Sequence, residues 1–424
     1  MRVLTALTAA LLATGGAAVM TADAQAQTPR SLNLSRDERD AIVALQAAAS
    51  GMDRAAQDAA LAAARTRAQG ASARYAIAHY QFEIGRQRGD NAMQSQAAEA
   101  MIDSGLATPE ETPGLVAYLA GRSLATGRDA SRTDRLIARL VELQPTNSAA
   151  LVDYGQYTAS QLPSARGPAA VTIRTNAVSL FQRAFAADKA AGRISPESWY
   201  QRGLAVAYDG TQPPISNATF APAALSFARD LVAGYPTPTN WRDALGVYRD
   251  VSADPALDLD ISRLMRAAGV LTGERDYMEF ATALADARLI GEARAVIDEG
   301  LQRNMVETVR IAPALATRIA PAAVTRDRAA LAGLRARAQT GTGAAARGAA
   351  DNFYAFGQYA DAAALYGLAL QKGGEDPNLV NLRLGASLAL AGRRPEAEAA
   401  LRLVTGPRAD LAGFWLTWLS RRPA

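Results

Sequence analysis

The chain has 424 residues, no cysteine, a single histidine and a net charge of +4. Without cysteine it can form neither disulfides nor thiolate metal sites. Its basic residues form no run or aromatic-interleaved patch of the kind that binds nucleic acid, so we expect no nucleic-acid partner. A chain of this length exceeds what one hydrophobic core usually covers, which predicts several domains or a continuous array of repeats.

The first 26 residues have the pattern of a secretory signal peptide. A basic start at Arg2 is followed by a small, apolar stretch over residues 3–20 and by the small residues Ala22, Ala24 and Ala26. This order is typical of a segment that is cleaved on export. We therefore expect residues 1–26 to be removed and the protein to be periplasmic or secreted in a bacterium. A retained helical anchor is the alternative.

Residues 27–110 are expected to form an N-terminal helical cap with degenerate repeats. Ser35 and Glu38 have the spacing of a capping box at the start of a first helix, and an alanine-rich second helix is expected to begin near Asp53. From there on, glycine, proline and asparagine interrupt helical periodicity at intervals, and no alternating pattern indicates a strand. Frequent alanine and few aromatic residues also favour helices.

Two stretches near the C-terminus repeat each other. Residues 357–369 are echoed by residues 392–404, a shift of 35 positions, with Ala397 at the place of Ala362 and Leu401 at the place of Tyr366. The pattern resembles the tetratricopeptide family, whose helix-pair unit has about 34 residues. Gly385 occupies the first-helix position at which that family uses glycine to let two helices approach closely.

Weaker matches to the same family run through residues 111–320. Gly121 and Ile137 have the family's spacing, as do Leu151 and Gly155 in the next unit, before an insertion at 161–176. A further unit begins at Trp199, and later units keep the spacing only in part, at the positions Trp241, Ala281, Ala293 and Ile297.

The resemblance is strongest over residues 114–210 and 343–404. It implies an all-α solenoid of tetratricopeptide-like helix pairs, a right-handed superhelix with degenerate repeats. Residues 111–320 would form the solenoid with loop insertions. Residues 321–424 would add a helix pair and a capping helix over the aromatic residues 414–419. The alternative for 414–419 is an exposed aromatic patch that binds a partner.

Catalytic motifs are not evident in the sequence. The single histidine, His79, excludes the paired-histidine zinc motif, and no glycine-x-serine-x-glycine motif occurs. Residues 341–346 resemble a dinucleotide fingerprint but follow a charged helical segment, so we interpret them as a link. Carboxylates at helix starts, namely Glu197, Glu292 and Glu396, are explained by the helix dipole. We expect no enzyme activity, no metal and no cofactor.

Function is expected on the concave face that first helices would line, where members of this family bind peptides or proteins. Mapping the family's groove positions onto this sequence selects Tyr118, Arg122, Val152, Gln156, Tyr200, Leu204, Arg347, Asp351 and Tyr354. Tyrosine and arginine are common interface anchors, although these tyrosines could instead pack between helices.

The resulting hypothesis is a scaffold that binds a protein or peptide partner in envelope assembly, polymer export or cell-wall remodelling. The alternative is an envelope enzyme or chaperone, such as a cell-wall hydrolase, with an unrecognised site.

Overall fold

The computed structural model describes residues 32–208, 219–252 and 255–421. The predicted signal peptide lies outside these residues. The described chain consists of helices and connecting turns, without strands, and it divides into two compact units between Arg193 and Ile194. The domain boundaries expected near 110 and 320 were placed where the match to the family's repeat pattern changes, and they stay predictions.

Unit 1 contains eight α-helices among its described residues. They are α1 (Arg36–Ala49), α2 (Arg54–Arg67), α3 (Ala71–Arg88), α4 (Asn91–Asp103), α5 (Thr112–Thr126), α6 (Ala130–Leu143), α7 (Ser148–Ala159) and α8 (Gly167–Ala190). Helices α3 and α4, α5 and α6, and α7 and α8 pack as consecutive pairs, while α1 packs on α2 and α3.

Unit 2 contains thirteen α-helices among its described residues. They are α9 (Glu197–Ala207), α10 (Ala221–Gly234), α11 (Pro238–Ser252), α12 (Pro255–Ala267), α13 (Gly273–Asp286), α14 (Ile290–Gln302), α15 (Pro313–Arg318), α16 (Pro321–Thr340), α17 (Gly343–Ala355), α18 (Tyr359–Lys372), α19 (Pro377–Leu390), α20 (Arg394–Arg402) and α21 (Ala409–Ser420). The pairs α13 and α14, α17 and α18, and α19 and α20 pack closely. The predicted all-α fold of paired helices is confirmed.

The capping box at the start of α1 forms as predicted and also ties α1 to α3. The Ser35 hydroxyl accepts from the backbone N–H of Glu38, whose carboxylate accepts from the N–H groups of Ser35 at 3.0 Å and Gly70 at 2.8 Å. These hydrogen bonds, the one from Ser35 foremost, lower the pKa of Glu38. Asp53 caps α2 in the same manner, with a side-chain oxygen accepting from two backbone N–H groups.

Two of the predicted first-helix glycines stand where the helices of a pair touch. A Cβ atom on Gly385 would lie 2.5 Å from Cγ of Leu401 in α20, and one on Gly155 would lie 3.1 Å from the Phe181 ring in α8. Gly121, given the same role by its spacing, has no atom within 4 Å of such a Cβ. Helices α5 and α6 meet instead where the buried hydroxyls of Ser123 and Thr133 lie 2.7 Å apart.

The helix expected over residues 414–419 forms as α21, and its aromatic side chains are buried within unit 2. The Phe414 ring centroid lies 6.2 Å from that of Trp241 and 6.0 Å from that of Tyr248, both in α11. The indole N–H of Trp418 donates to the carbonyl of Ala267 at 3.2 Å. Because Phe414 and Trp415 are almost fully buried, the alternative of an exposed aromatic patch does not hold. Helix α21 joins parts of unit 2 that are about 150 residues apart in sequence.

None of the described helices combines the length and the apolar character needed to cross a membrane.

Candidate functional site

All nine predicted groove residues lie on first helices of pairs, namely α5, α7, α9 and α17. Five of them are buried: Val152, Tyr200, Leu204, Asp351 and Tyr354. The other four are partly exposed: Tyr118, Arg122, Gln156 and Arg347. Their role in partner binding stays a prediction, but only the partly exposed residues reach the surface.

Tyr118 in α5 is held in place at both its ring and its hydroxyl. The ring packs edge-on against Phe82 of α3, with centroids 5.2 Å apart, and the hydroxyl donates to the carbonyl of Asn91 at 3.4 Å. Partial burial raises the pKa of Tyr118. Arg122, one turn further along α5, forms no ion pair with any of the described residues, so its partly exposed guanidinium can donate hydrogen bonds to an external carboxylate.

Tyr157 in α7 makes the same kind of hydrogen bond as Tyr118, although the sequence pattern did not select it. Its hydroxyl donates at 2.8 Å to the carbonyl of Ala130, the first residue of α6, just as Tyr118 donates to Asn91, the first residue of α4. Both partners are displaced by 39 positions, since 157 − 118 = 39 and 130 − 91 = 39. The family spacing of about 34 residues aligns Tyr118 with Val152, so the resemblance did not select Tyr157.

Two successive first helices of unit 1, α5 and α7, both carry partly exposed side chains. We call four of these residues the first-helix surface of unit 1: Tyr118, Arg122, Gln156 and Tyr157. The insertion at 161–176 lies nearby in sequence and forms a short 3-10 turn and the beginning of α8. Residues 167–176 of α8 have no buried side chain, and Val171 is 52% exposed. The insertion thus extends α8 beyond its packed part.

Unit 2 contains a buried cluster of acidic and basic side chains from four helices, which we call the charged cluster: Asp260 and Arg263 of α12, Glu292 of α14, Asp351 of α17, and Arg383 of α19. Arg263 donates to Glu292 at 2.7 Å, and Arg383 donates to both Asp260 and Asp351 at 3.0 Å. The side chain of Arg263 is only 3% exposed, and that of Arg383 is 12% exposed.

The electrostatics of the charged cluster follow from burial and proximity. Burial opposes the charged form of both guanidiniums, but the neighbouring carboxylates outweigh it and raise the pKa of Arg263 and of Arg383. The Tyr354 ring lies under the Arg263 guanidinium, 4.1 Å from its centroid. Burial raises the pKa of Tyr354 far above its ordinary value, so Tyr354 stays neutral.

Three residues that the family resemblance assigned to the groove belong to the charged cluster or contact it, namely Asp351, Arg347 and Tyr354. Arg347 pairs with Asp351 at 3.0 Å and with Glu375, while Tyr354 lies beneath Arg263. Glu292 lies in the first turn of α14, as the dipole argument predicted, but it is also buried against Arg263. The sequence showed no sign of this pair, because helical spacing does not reveal contacts between distant helices.

A small cavity adjoins the charged cluster and has room for about one water molecule. It is lined by Asp260, Arg263, Tyr354, Leu382, Arg383, Ala386 and Trp415. The described residues include no group of histidine and carboxylate side chains arranged to hold a metal ion. Because each guanidinium of the cluster is paired with a carboxylate from another helix, the evident role of the cluster is to join helices.

The structure also accounts for the single histidine and for the segment that resembles a dinucleotide fingerprint. His79 is exposed on α3, with its ring edge-on to that of Tyr80. Residues 341–346 form a tight turn and the start of α17, directly after helix α16. A dinucleotide fingerprint requires a preceding strand, so this segment is a helix-to-helix link.

No family model matches the sequence, and no curated protein matches it. Among solved structures the chain is similar to one titled "Structure of Naa15/Naa10 bound to HypK-THB", at 15% sequence identity and a TM-score of 0.22. The alignment covers 88% of this chain and 64% of that chain, so this chain spans a little under two thirds of its length. The fold assignment rests on the helices described above and not on this likeness.

Proposed function

We propose that the protein is a non-enzymatic scaffold that binds a protein or peptide partner through the first-helix surface of unit 1. The observation that carries this proposal is the repeated tyrosine. Tyr118 and Tyr157 are fixed by equivalent hydrogen bonds to the starts of α4 and α6, yet both stay partly exposed. An aromatic side chain that is already held in place loses little conformational entropy when a partner packs against it.

Unit 1 is favoured over unit 2 because the predicted groove residues of unit 2 are engaged within the molecule. Tyr200 and Leu204 are buried, and Arg347 and Asp351 are ion-paired. Side chains committed to internal contacts would have to break them before binding, which reduces affinity. Arg122 has no such commitment among the described residues and would favour a partner with a carboxylate near an apolar side chain.

We also propose that the scaffold acts in a bacterial envelope, in the periplasm or after secretion, in envelope assembly, polymer export or cell-wall remodelling. The signal-like pattern of residues 1–26 supports this setting. The mature N-terminus, determined by mass spectrometry on protein from its own host, tests it. A first residue near 25 or 27 is expected, and an intact Met1 would contradict export by cleavage.

The binding proposal is tested by capture from lightly crosslinked envelope of the host. The variant Tyr118→Ala with Arg122→Ala and Tyr157→Ala is compared with a control that changes Arg139→Ala and Glu142→Ala, two exposed residues of α6. Both variants must retain wild-type circular dichroism. A partner captured by the wild type and the control but lost from the triple variant is the expected result. Equal capture by all three proteins would exclude this surface, and no specific partner at all would overturn the scaffold proposal.

A further inference from the structure

Helix α21 covers the charged cluster of unit 2 without bonding to it. Trp415 of α21 lines the small cavity together with Asp260, Arg263, Tyr354 and Arg383. The hydrogen bonds of the charged cluster run between α12, α14, α17, α18 and α19, and none reaches α21. The cluster is thus complete without the helix above it, and the cavity marks an imperfect fit between the two.

The attachment of α21 to unit 2 combines apolar packing with a few polar contacts. Asp410 pairs with Arg229 of α10 at 2.7 Å, and both side chains are about one third exposed. The Trp418 indole donates to the carbonyl of Ala267. The Tyr248 hydroxyl donates at 3.0 Å to the carbonyl of Pro407, in the short 3-10 turn that precedes α21. Removing α21 would break these contacts but no helix pair beneath it.

The charged cluster lowers the free energy needed to lift α21. Exposing Phe414, Trp415 and Trp418 to water is unfavourable. The same opening, however, gives water access to buried guanidiniums and carboxylates, which relieves part of the desolvation that burial imposes on them. An apolar surface beneath α21 would offer no such compensation, so this interface should open more readily than the apolar interfaces within the helix pairs.

We propose that α21 is a detachable lid over the charged cluster, and that it opens as a unit while the helix pairs beneath it stay folded. Opening would expose a polar surface flanked by the aromatic residues Trp241 and Tyr248 of α11, a surface that takes an aromatic helix in the closed state. The proposal concerns unit 2 and does not depend on partner binding at unit 1.

Thiol labelling of the full chain tests the lid, because the wild type has no cysteine. The variant Ala386→Cys places a thiol at the cavity beneath Trp415. The variant Ala362→Cys places a thiol in α18, where Ala362 is fully buried. Without denaturant, the thiol at 386 is expected to react with a maleimide at least about tenfold faster than the thiol at 362, as sub-global opening requires. Equal rates at the two positions would overturn the proposal.

A crosslink between α21 and α10 distinguishes opening of the lid from a general loosening of unit 2. Arg229→Cys and Asp410→Cys, added to each labelling variant and joined by a short bis-maleimide, fix α21 to α10. The link is expected to slow labelling at 386 to the rate at 362 and to leave the rate at 362 unchanged. Undiminished labelling at 386 would contradict the lid.

Hydrogen exchange of the unsubstituted chain supplies the test if a variant fails to fold. Amides of α21 are then expected to exchange faster than those of α19 and α17, and exchange of all three helices at one common rate would overturn the proposal.

Discussion

At the scale of single residues, the contact between Gly385 and Leu401 shows how little space remains between paired helices. A Cβ atom at position 385 would lie 2.5 Å from Cγ of Leu401 and 3.3 Å from the carbonyl oxygen of Ala397. Both neighbours lie in α20, and the backbone oxygen cannot move away without shifting that helix. The side chain that alanine brings must therefore push the pair apart.

We predict that Gly385→Ala lowers the free energy of unfolding by about 1–3 kcal/mol, the usual cost of overpacking. Gly367 in α18 provides the matched control, since nothing lies within 4 Å of its Cβ position. Gly367→Ala should raise the free energy of unfolding by up to about 1 kcal/mol, because alanine favours helix over glycine. Urea denaturation measures both, and a stabilised Gly385→Ala protein would contradict the close approach.

Arg263 has a different residue-scale role, because it neutralises two buried carboxylates. We predict that Arg263→Ala lowers the free energy of unfolding by about 3–5 kcal/mol, since it leaves the buried Glu292 without its counter-ion and removes one of the two guanidiniums beside Asp260. The exposed pair of Arg275 and Glu279 is the control, and Arg275→Ala should leave the urea midpoint unchanged. Similar effects of the two substitutions would argue against the buried cluster.

Tyr354 predicts how stability responds to alkaline pH. Its pKa in the folded state is raised well above the ordinary value of about 10 by burial. Below pH 10 both states are protonated, whereas above it only the unfolded state loses the proton, so the free energy of unfolding falls with rising pH. Above about pH 10, each such tyrosine lowers the free energy of unfolding by about 1.4 kcal/mol per pH unit. Tyr354→Phe should therefore make the alkaline loss of stability shallower, as measured by urea titrations between pH 9 and 11, and an unchanged slope would contradict a neutral Tyr354.

At the scale of elements, α21 shows what the sequence could and could not predict. Its helix was predicted from the apolar run at 414–419 and from its place after the last repeat. Its contacts with α10, α11 and α12 were not, because spacing within a repeat describes neighbouring helices only. The same limit hid the pair of Arg263 and Glu292, which joins α12 to α14.

Trp415 makes the packing of α21 measurable. We predict that Trp415→Ala lowers the free energy of unfolding of unit 2 by about 3–5 kcal/mol, as expected when a large buried aromatic side chain is removed. Leu403, which follows α20 and is 65% exposed, is the control. Leu403→Ala should change the free energy by no more than about 0.5 kcal/mol. Equal, small effects would show that α21 is not packed in solution.

Capping and pair contacts were the most predictable features of the elements. The capping box of α1, the cap at Asp53 and the close approaches at Gly155 and Gly385 all depend on residues within one helix or one pair. The role given to Gly121 failed because α5 and α6 meet at Ser123 and Thr133 instead. Tyr157 was missed because the family spacing of about 34 residues places Val152, and not Tyr157, at the position of Tyr118.

At the scale of the whole molecule, the two units differ in how far apart in sequence their contacts reach. In unit 1, the substantial helix contacts join helices that are adjacent or next but one in sequence. In unit 2, Arg383 reaches Asp260, and Trp418 reaches Ala267, across more than 120 residues. Arrays with neighbour contacts only can lose their helices from the ends, whereas long-range contacts couple distant helices.

We therefore predict that the helices of unit 2 that lie beneath α21 unfold in one cooperative transition and that unit 1 unfolds gradually. Hydrogen exchange followed by mass spectrometry at increasing urea should show α12, α14, α17 and α19 losing protection together. Helices α1 to α8 should lose it over a broader range. A single transition shared by all helices would contradict this difference, as would gradual loss of protection among α12, α14, α17 and α19.

The contacts of Arg383 also bear on how this chain can change its length. In an open array, a helix pair can be duplicated or deleted because each pair meets only its neighbours. In unit 2, one added pair between α12 and α19 would displace Arg383 from Asp260 and would move α21 away from α10 and α11. These contacts between distant helices thus fix the number of repeats in unit 2. Unit 1 remains the part in which duplication could alter the binding surface.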